Sequence, residues 1–271
     1  MSPGAPPPTP SRRHPSPARD REALLALLGR DRDAHPYGIA DLEQLWHRSR
    51  WWRREDAAVG LLELPGSTLP VGYAIAAREP AATLDLLADL GAADLLPTAF
   101  VITGPPGLSH RLAGWYHARR TSEYLKMALP PSITIPAPDP RVRTLTPVDL
   151  PGLQSLYATD PAAGDFFHPG LLVTGCYLGV EVAGELVASA GTHVLDRVNG
   201  VAAIGNVATA PAYRGRGLGR LVTAAVCHRL RGQVDTIGLN VAPDNLAARG
   251  LYRRLGFAEV LAFEEAELEH R

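Results

Sequence analysis

Apolar residues recur at helical spacing in Arg21 to Gly29 (REALLALLG) and again from Ala40 to Arg48, with His35-Pro36-Tyr37-Gly38 breaking the pattern between them. Val59 to Leu64 and Val71 to Ala77 are apolar runs of strand length around Pro65-Gly66-Ser67, which predicts a hairpin. Ala82 to Leu90 reads as a helix. Ala99 to Thr103 reads as a strand running into Gly104-Pro105-Pro106-Gly107, Leu108 to Arg119 as a helix, and Thr121 to Leu129 alternates like a strand. The prolines of SITIPAPDP then make a stiff extended connection, which places a domain boundary near residue 138.

Beyond the connection, Val142 to Leu145 is a predicted strand, and Pro147-Val148-Asp149 starts a helix through Tyr157. Asp160 to Phe167 is a loop or short helix. Cys176 to Val182 and Glu185 to Val194 form a hairpin around Ala183-Gly184. Ala203 to Thr209 is a buried strand ended by Pro211. The turn Arg214-Gly215-Arg216-Gly217-Leu218-Gly219 follows and opens into a helix carried by Leu218, Leu221, Val222, Ala225 and Val226. Thr236 to Val241 is a strand, Asn245 caps a helix over Leu246 to Leu255, and Phe257 onward is a last pair of strands.

The two halves thus share an order of helix, hairpin and strand–turn–helix–strand. Ala99 to Trp115 lies where the second half has Asn206 to Val222, so the first half reads as a degenerate copy of the second. Its turn has lost the arginine and gained two prolines, which lack the N–H donors a phosphate needs. Residues 1–19 are too rich in proline to bury a core and are expected to be disordered; the prolines also prevent the amphipathic helix of a targeting peptide. That leaves 20–138 and 139–271 as the two folded units. An unrelated α/β domain is the other reading of 20–138.

Composition narrows the chemistry. The 271 residues are 46% hydrophobic with a net charge of −1, which supports a real core and argues against a nucleic-acid partner. Lys126 is the only lysine among many arginines; this disfavours Schiff-base chemistry and fits a GC-rich bacterial genome. The two cysteines, Cys176 and Cys227, are expected as buried free thiols in a reducing cytoplasm, and the chain has no apolar run of membrane length. Trp46, Trp51 and Trp52 are expected in the core or at the domain interface, with substrate stacking as the alternative. The sequence suggests no metal site.

The arginine–glycine turn suits a phosphate, because a helix N-terminus presents unpaired N–H groups there. A dinucleotide fingerprint would need a small residue where Arg220 stands, and a P-loop would need Gly-Lys-Ser/Thr. Instead, Arg214, Gly217 and Gly219 match Arg/Gln-x-x-Gly-x-Gly/Ala. Asn245, Ala248, Leu251, Tyr252, Leu255, Gly256 and Phe257 match Asn-x-x-Ala-x-x-Leu-Tyr-x-x-Leu-Gly-Phe. On these motifs the chain from about Arg141 onward resembles the GNAT acetyltransferases.

That resemblance implies a mixed α/β fold with a largely antiparallel central sheet and flanking helices, here as tandem GNAT-like domains. It implies acetyl-CoA as co-substrate, with its pyrophosphate on Arg214, Gly215, Arg216, Gly217, Leu218, Gly219 and Arg220. The pantetheine arm would run along Val207, Ala208 and Thr209, where that strand splays from Thr236 to Val241. A backbone N–H near Val207 would hold the oxyanion, and Tyr252 would protonate the leaving thiolate. Asn245 would contact pantetheine, cap its helix, or both. The acceptor implied is an amine of a small molecule or peptide, attacked directly, in a monomer or homodimer. A non-catalytic acyl-CoA-binding module is the alternative, and transfer to oxygen a third. No general base is assigned: His193 is the nearest titratable group, and an ordered water would serve equally.

Overall fold

The computed structural model describes residues 15–65, 67–76 and 80–271. Pro15 to Arg19, the end of the proline-rich tail, are among them: Pro17 bridges Trp52, and the Ala18 N–H donates to the Trp51 carbonyl at 2.6 Å. Met1 to His14, Gly66 and Ala77 lie outside the described residues.

The first half runs α1 (Arg21–Leu28), α2 (Pro36–Gln44), β1 (Ser49–Arg54), β2 (Ala57–Leu62), β3 (Val71–Ala76), α3 (Pro80–Ala92), β4 (Ala99–Gly104), α4 (Leu108–Leu112) and β5 (Tyr116–Ala128). The second runs β6 (Val142–Thr144), α5 (Leu150–Ala158), β7 (Leu178–Val182), β8 (Glu185–Asp196), β9 (Val201–Thr209), α6 (Leu218–Arg231), β10 (Thr236–Val241), α7 (Leu246–Arg254) and β11 (Ala258–His270). The described strands form one eleven-stranded sheet in the order β1-β2-β3-β4-β11-β5-β10-β9-β8-β7-β6. Only β3/β4 and β9/β10 pair in parallel. The expected mixed α/β fold with a mainly antiparallel sheet and flanking helices is therefore observed.

That order is nearly a palindrome. In the first half β1/β2 and β2/β3 are antiparallel, β3/β4 parallel, and β4 is followed by two antiparallel strands. From β7 through β8, β9 and β10 the second half repeats the sequence of directions. The halves also exchange their last strands: β11 lies between β4 and β5, and β5 lies between β10 and β11. The central β5/β11 ladder runs almost the full length of both strands, so the sheet is continuous across the two halves.

This topology corrects the internal alignment expected from sequence. The strand matching β9 is β3, not β4, because β3 is the one that pairs in parallel with its successor. The counterpart of the arginine–glycine turn is thus the link between β3 and α3, and the Gly104–Gly107 turn corresponds to the Pro243–Asn245 link before α7.

Three element predictions also change. Leu108 to Arg119 is helical only to Leu112, after which β5 begins at Tyr116; the contribution of β5 to a ladder with β11 outweighs a weak local helical period. Phe257 onward gives one long strand rather than a pair, because its partners are β4 and β5 of the other half. Ser49–Arg54, singled out only for its tryptophans, is a strand in antiparallel register with β2. Trp51 and Trp52 are buried on opposite faces of it, so they are core residues and not a stacking platform. The Trp51 ring lies so close to Gly60 that a Cβ there would meet it at 2.6 Å.

Candidate active site

The parallel ladder of β9 with β10 stops at Ile204 opposite Leu239, although β9 continues to Thr209 and β10 to Val241. The two strands part there. On its other edge β9 bulges: Gly205 faces Gly191 and Ala208 faces Ser189, leaving Asn206 and Val207 outside the ladder, with Asn206 at φ 52°. The Asn206 side chain fixes this bend. Its Oδ1 accepts from the Tyr177 hydroxyl at 2.7 Å, and its Nδ2 donates to the Ala163 and Asp165 carbonyls, each at 2.9 Å. Asn206 is therefore a brace for the 160–167 segment.

The chain leaving β9 passes Pro211 and enters the arginine–glycine turn. Gly215 (φ 76°) and Gly217 (φ 77°) both sit in the left-handed region, which is why glycine is required at each. Gly217 caps α6 with no side-chain hydrogen bond, so the first-turn N–H groups have neither a carbonyl nor a cap to bond. Gly219 packs tightly, since a Cβ there would meet Leu251 and the Thr209 hydroxyl at 3.2 Å. Arg214 is held at the rim by the Thr209 carbonyl (3.1 Å) and Asp160 (3.1 Å).

The gap and the turn open on one cavity of about 1780 Å³. Val207, Thr209, Arg214, Gly215, Gly217, Leu218, Gly219, Arg220, Asn245 and Tyr252 all line it, so ten of the residues expected from sequence are brought together. Two are not. Ala208 faces the core beside Tyr157 and Leu172, as alternation along a strand requires. Arg216 lies over the Tyr213 ring at 5.1 Å and donates to the Ala212 carbonyl. Asn245 is the N-cap of α7: its Oδ1 accepts from the Ala248 N–H at 3.0 Å. Tyr252 is buried against Phe257, and burial pushes its phenol well above the usual tyrosine range, so it holds its proton at neutral pH.

The opposite wall comes from elements whose chemistry is invisible in the motifs. Tyr37 on α2 bonds the His193 Nδ1 through its hydroxyl at 3.3 Å. Asp41, one turn on, accepts from the Tyr73 hydroxyl at 2.8 Å; burial raises its carboxyl to about 6. Glu265 on β11 is also raised by burial. His193 packs onto Gly205, where a Cβ would meet its ring at 2.2 Å, and burial lowers it to about 4. It is therefore neutral and weakly basic at pH 7, which makes it a poor general base. One signal was available in sequence, the alternation of Phe263 and Glu265 on a strand, and it does not say which surface they face. Tyr37 was hidden in the stretch read as a helix break: α2 runs from Pro36 to Gln44 rather than from Ala40 to Arg48, with Pro36 in its first turn, and this puts Tyr37 and Asp41 one turn apart.

Both cysteines are buried and unpaired, and burial raises Cys227 to about 12, so neither is an activated nucleophile. Among the described residues no cluster of three metal-ligating side chains occurs, and no helix is long and apolar enough to cross a membrane.

Comparison with known proteins agrees with this geometry. Residues 150–257 match the model of the acetyltransferase (GNAT) family, and this part of the chain is a GNAT acetyltransferase domain. A mycothiol acetyltransferase of Tsukamurella paurometabola is 40% identical over 99 residues, which cover 35% of this chain and 34% of that protein. The N-alpha-acetyltransferase RimI of Mycobacterium tuberculosis is 38% identical over 85 residues, 31% of this chain and 52% of that one. The matched stretch thus spans about a third of the mycothiol enzyme and half of RimI. Over nearly the whole length, a tandem GNAT protein from the clavulanic acid biosynthesis pathway shares the fold, with a TM-score of 0.51, 16% identity, and coverage of 93% of this chain and 97% of that one. The tandem architecture is thus found in a solved protein.

Proposed function

We propose that the chain is an acetyl-CoA-dependent N-acetyltransferase, with the donor held by residues 139–271 and the acceptor side shaped by the GNAT-like counterpart in 20–138. One observation carries this reading. The open helix turn, the parting of β9 from β10, and the Tyr252 phenol all face the same cavity.

The pyrophosphate sits on the N–H groups at the start of α6, with Arg214 and Arg220 beside it. Pantetheine enters the gap and pairs with the free edge of β9. The amine nitrogen attacks the thioester carbon, and the N–H of Val207, outside the ladder at the bulge, stabilises the oxyanion. As the C–S bond breaks, Tyr252 gives its proton to the thiolate. Asp41 and Glu265 hold the ammonium group of the acceptor before it loses its proton to water. Asn245 acts through capping α7, which aims Tyr252 into the cavity. The relatives' names point to different acceptors, so the acceptor class is drawn from the cavity wall and not from them. Two buried free cysteines fit a reducing, cytoplasmic setting.

The test is a screen of amines with the full chain and acetyl-CoA, reading release of free CoA thiol alongside calorimetric binding of acetyl-CoA. Turnover with a cationic amine supports the enzyme. Tight binding with no turnover on any amine supports the non-catalytic acyl-CoA module instead.

A further inference from the structure

Lys126, the only lysine in the chain, lies on the cavity wall at the point where the donor is expected to react. It stands on β5, the strand that the first half contributes beside β10, with its Cα opposite Asn240. Asn240 is the first residue of β10 past the last β9/β10 pair, so the two residues mark the opening of the gap. The Asn240 Oδ1 is buried with no hydrogen-bond partner among the described residues, which leaves an acceptor beside this amine.

The ammonium is placed among rings rather than carboxylates. Its Nζ is 5.1 Å from the centre of the Tyr37 ring and 5.0 Å from that of Phe263. Among the described residues no ion pair or hydrogen bond to Lys126 occurs. The titratable groups that line the cavity around it include Tyr37 and Asp41 on α2, Tyr73 on β3, Tyr124 on β5 itself, Asp165, His193 on β8, Tyr252 on α7 and Glu265 on β11. The cavity leaves part of the side chain open to water, while the surrounding protein lowers the ammonium to about 8. A cation over two rings retains some stabilisation, but among the described residues no carboxylate forms an ion pair with it that would oppose its loss of a proton. Every other basic side chain in the molecule, histidine aside, is an arginine, whose guanidinium stays charged and does not acylate.

We infer that Lys126 is itself an acetylation site, modified by the acetyl-CoA bound in its own cavity. The inference rests on the proposed donor site. The ammonium first releases a proton to water. The neutral Nζ then attacks the thioester carbon, the N–C bond forms, the C–S bond breaks, and the second nitrogen proton ends on the CoA sulfur. The products are acetyl-Lys126 and free CoA thiol. The amide is stable, so this is a modification and not an acyl-enzyme intermediate; it removes the one lysine charge from the cavity wall.

Because lysine occurs once, intact-mass and peptide mass spectrometry locate the product unambiguously. The full chain is incubated with acetyl-CoA and no acceptor. The expected result is one acetyl group per chain on the Lys126 peptide, absent from Lys126→Arg and lost when the protein is denatured or when excess CoA competes. The initial rate should rise about fivefold from pH 7 to pH 8 and then level off, whereas an ordinary lysine would keep rising about tenfold per pH unit. Calorimetry on the same samples separates the two readings. Binding of acetyl-CoA with an unmodified Lys126, or label only on the terminal amine, overturns the inference and leaves the donor site standing. Absence of acetyl-CoA binding overturns both.

Discussion

The two halves share a ladder but not a turn, and the difference supports the proposed place of the donor. In the second half β9 reaches α6 through Ala210 to Gly217, a link with two glycines at positive φ that leaves the helix N-terminus uncapped by any side chain. The equivalent link between β3 and α3 is only residues 77–79, which contain no glycine, and α3 begins on Pro80, which has no N–H. The gap differs as well. Where β3 leaves β4, Gly104 lies against Ala74 so closely that a Cβ would meet the Ala74 Cβ at 2.6 Å, so the two strands stay close past their last ladder pair. Two N–H groups at the start of α4 are taken within the protein: the buried Glu264 carboxylate accepts from Gly107 at 2.7 Å and from Ser109 at 3.0 Å. The start of α6 keeps its N–H groups without a side-chain cap, whereas the start of α4 gives two of its own to Glu264.

This contrast can be broken experimentally. The largest effect is expected at the chemistry: Tyr252→Phe should lower kcat by about a hundredfold or more while acetyl-CoA affinity stays within about twofold. Unchanged turnover would remove Tyr252 as the acid.

Next in size is a pair of opposite pH effects, one from each half. His193 has a folded-state pKa near 4, below its unfolded value, so the unfolded chain binds the proton first and stability falls as pH drops from about 6.5 to 4. Asp41, raised to about 6, has the reverse sign: the folded state binds its proton first, and stability rises as pH falls from about 6 to 4. Each contributes on the order of 2–3 kcal/mol across that window. Denaturant titrations at pH 7 and 4.5 should therefore show His193→Gln gaining stability on acidification relative to the parent, and Asp41→Asn losing it.

A smaller effect compares the two left-handed helix caps. Gly217→Val should weaken acetyl-CoA binding about tenfold by calorimetry, because a β-branched residue cannot hold that backbone without about 1–3 kcal/mol of strain. Gly107→Val, strained at φ 89°, should destabilise the fold and leave the dissociation constant unchanged. Equal losses of affinity would mean that Gly217 acts through the stability of the fold and not through the turn. The smallest expected change is Glu264→Gln, about 1 kcal/mol in chemical denaturation with no change in acetyl-CoA affinity.

Much of the proposed donor side was legible in the sequence because it depends on local chain chemistry. Two glycines forced into the left-handed region, a helix opening directly after them, and Asn245 three residues before the N–H it caps are all contiguous features. Their residue types follow from backbone geometry that a short stretch sets for itself. The parting of β9 from β10 was expected only from the family resemblance, because it depends on how two strands distant in sequence pair.

The acceptor side was not legible, and neither was the pairing of the sheet. Whether Ala99–Gly104 or Val71–Ala76 answers to β9 depends on which strand lies parallel to which, and that is settled by ladders between residues far apart in sequence. The exchange of β5 and β11 places Lys126, Phe263 and Glu265 on the wall facing Tyr252. Nothing within ten residues of Lys126 distinguishes it from a surface lysine; only the ladders on either side and α2 above turn it toward the cavity. The sequence alone determined the arginine–glycine turn and the α7 cap, because short-range backbone constraints select glycine at Gly215 and Gly217 and asparagine at Asn245. The tertiary structure decided what faces that turn, because side-chain burial and charge environment arise only once distant strands have paired.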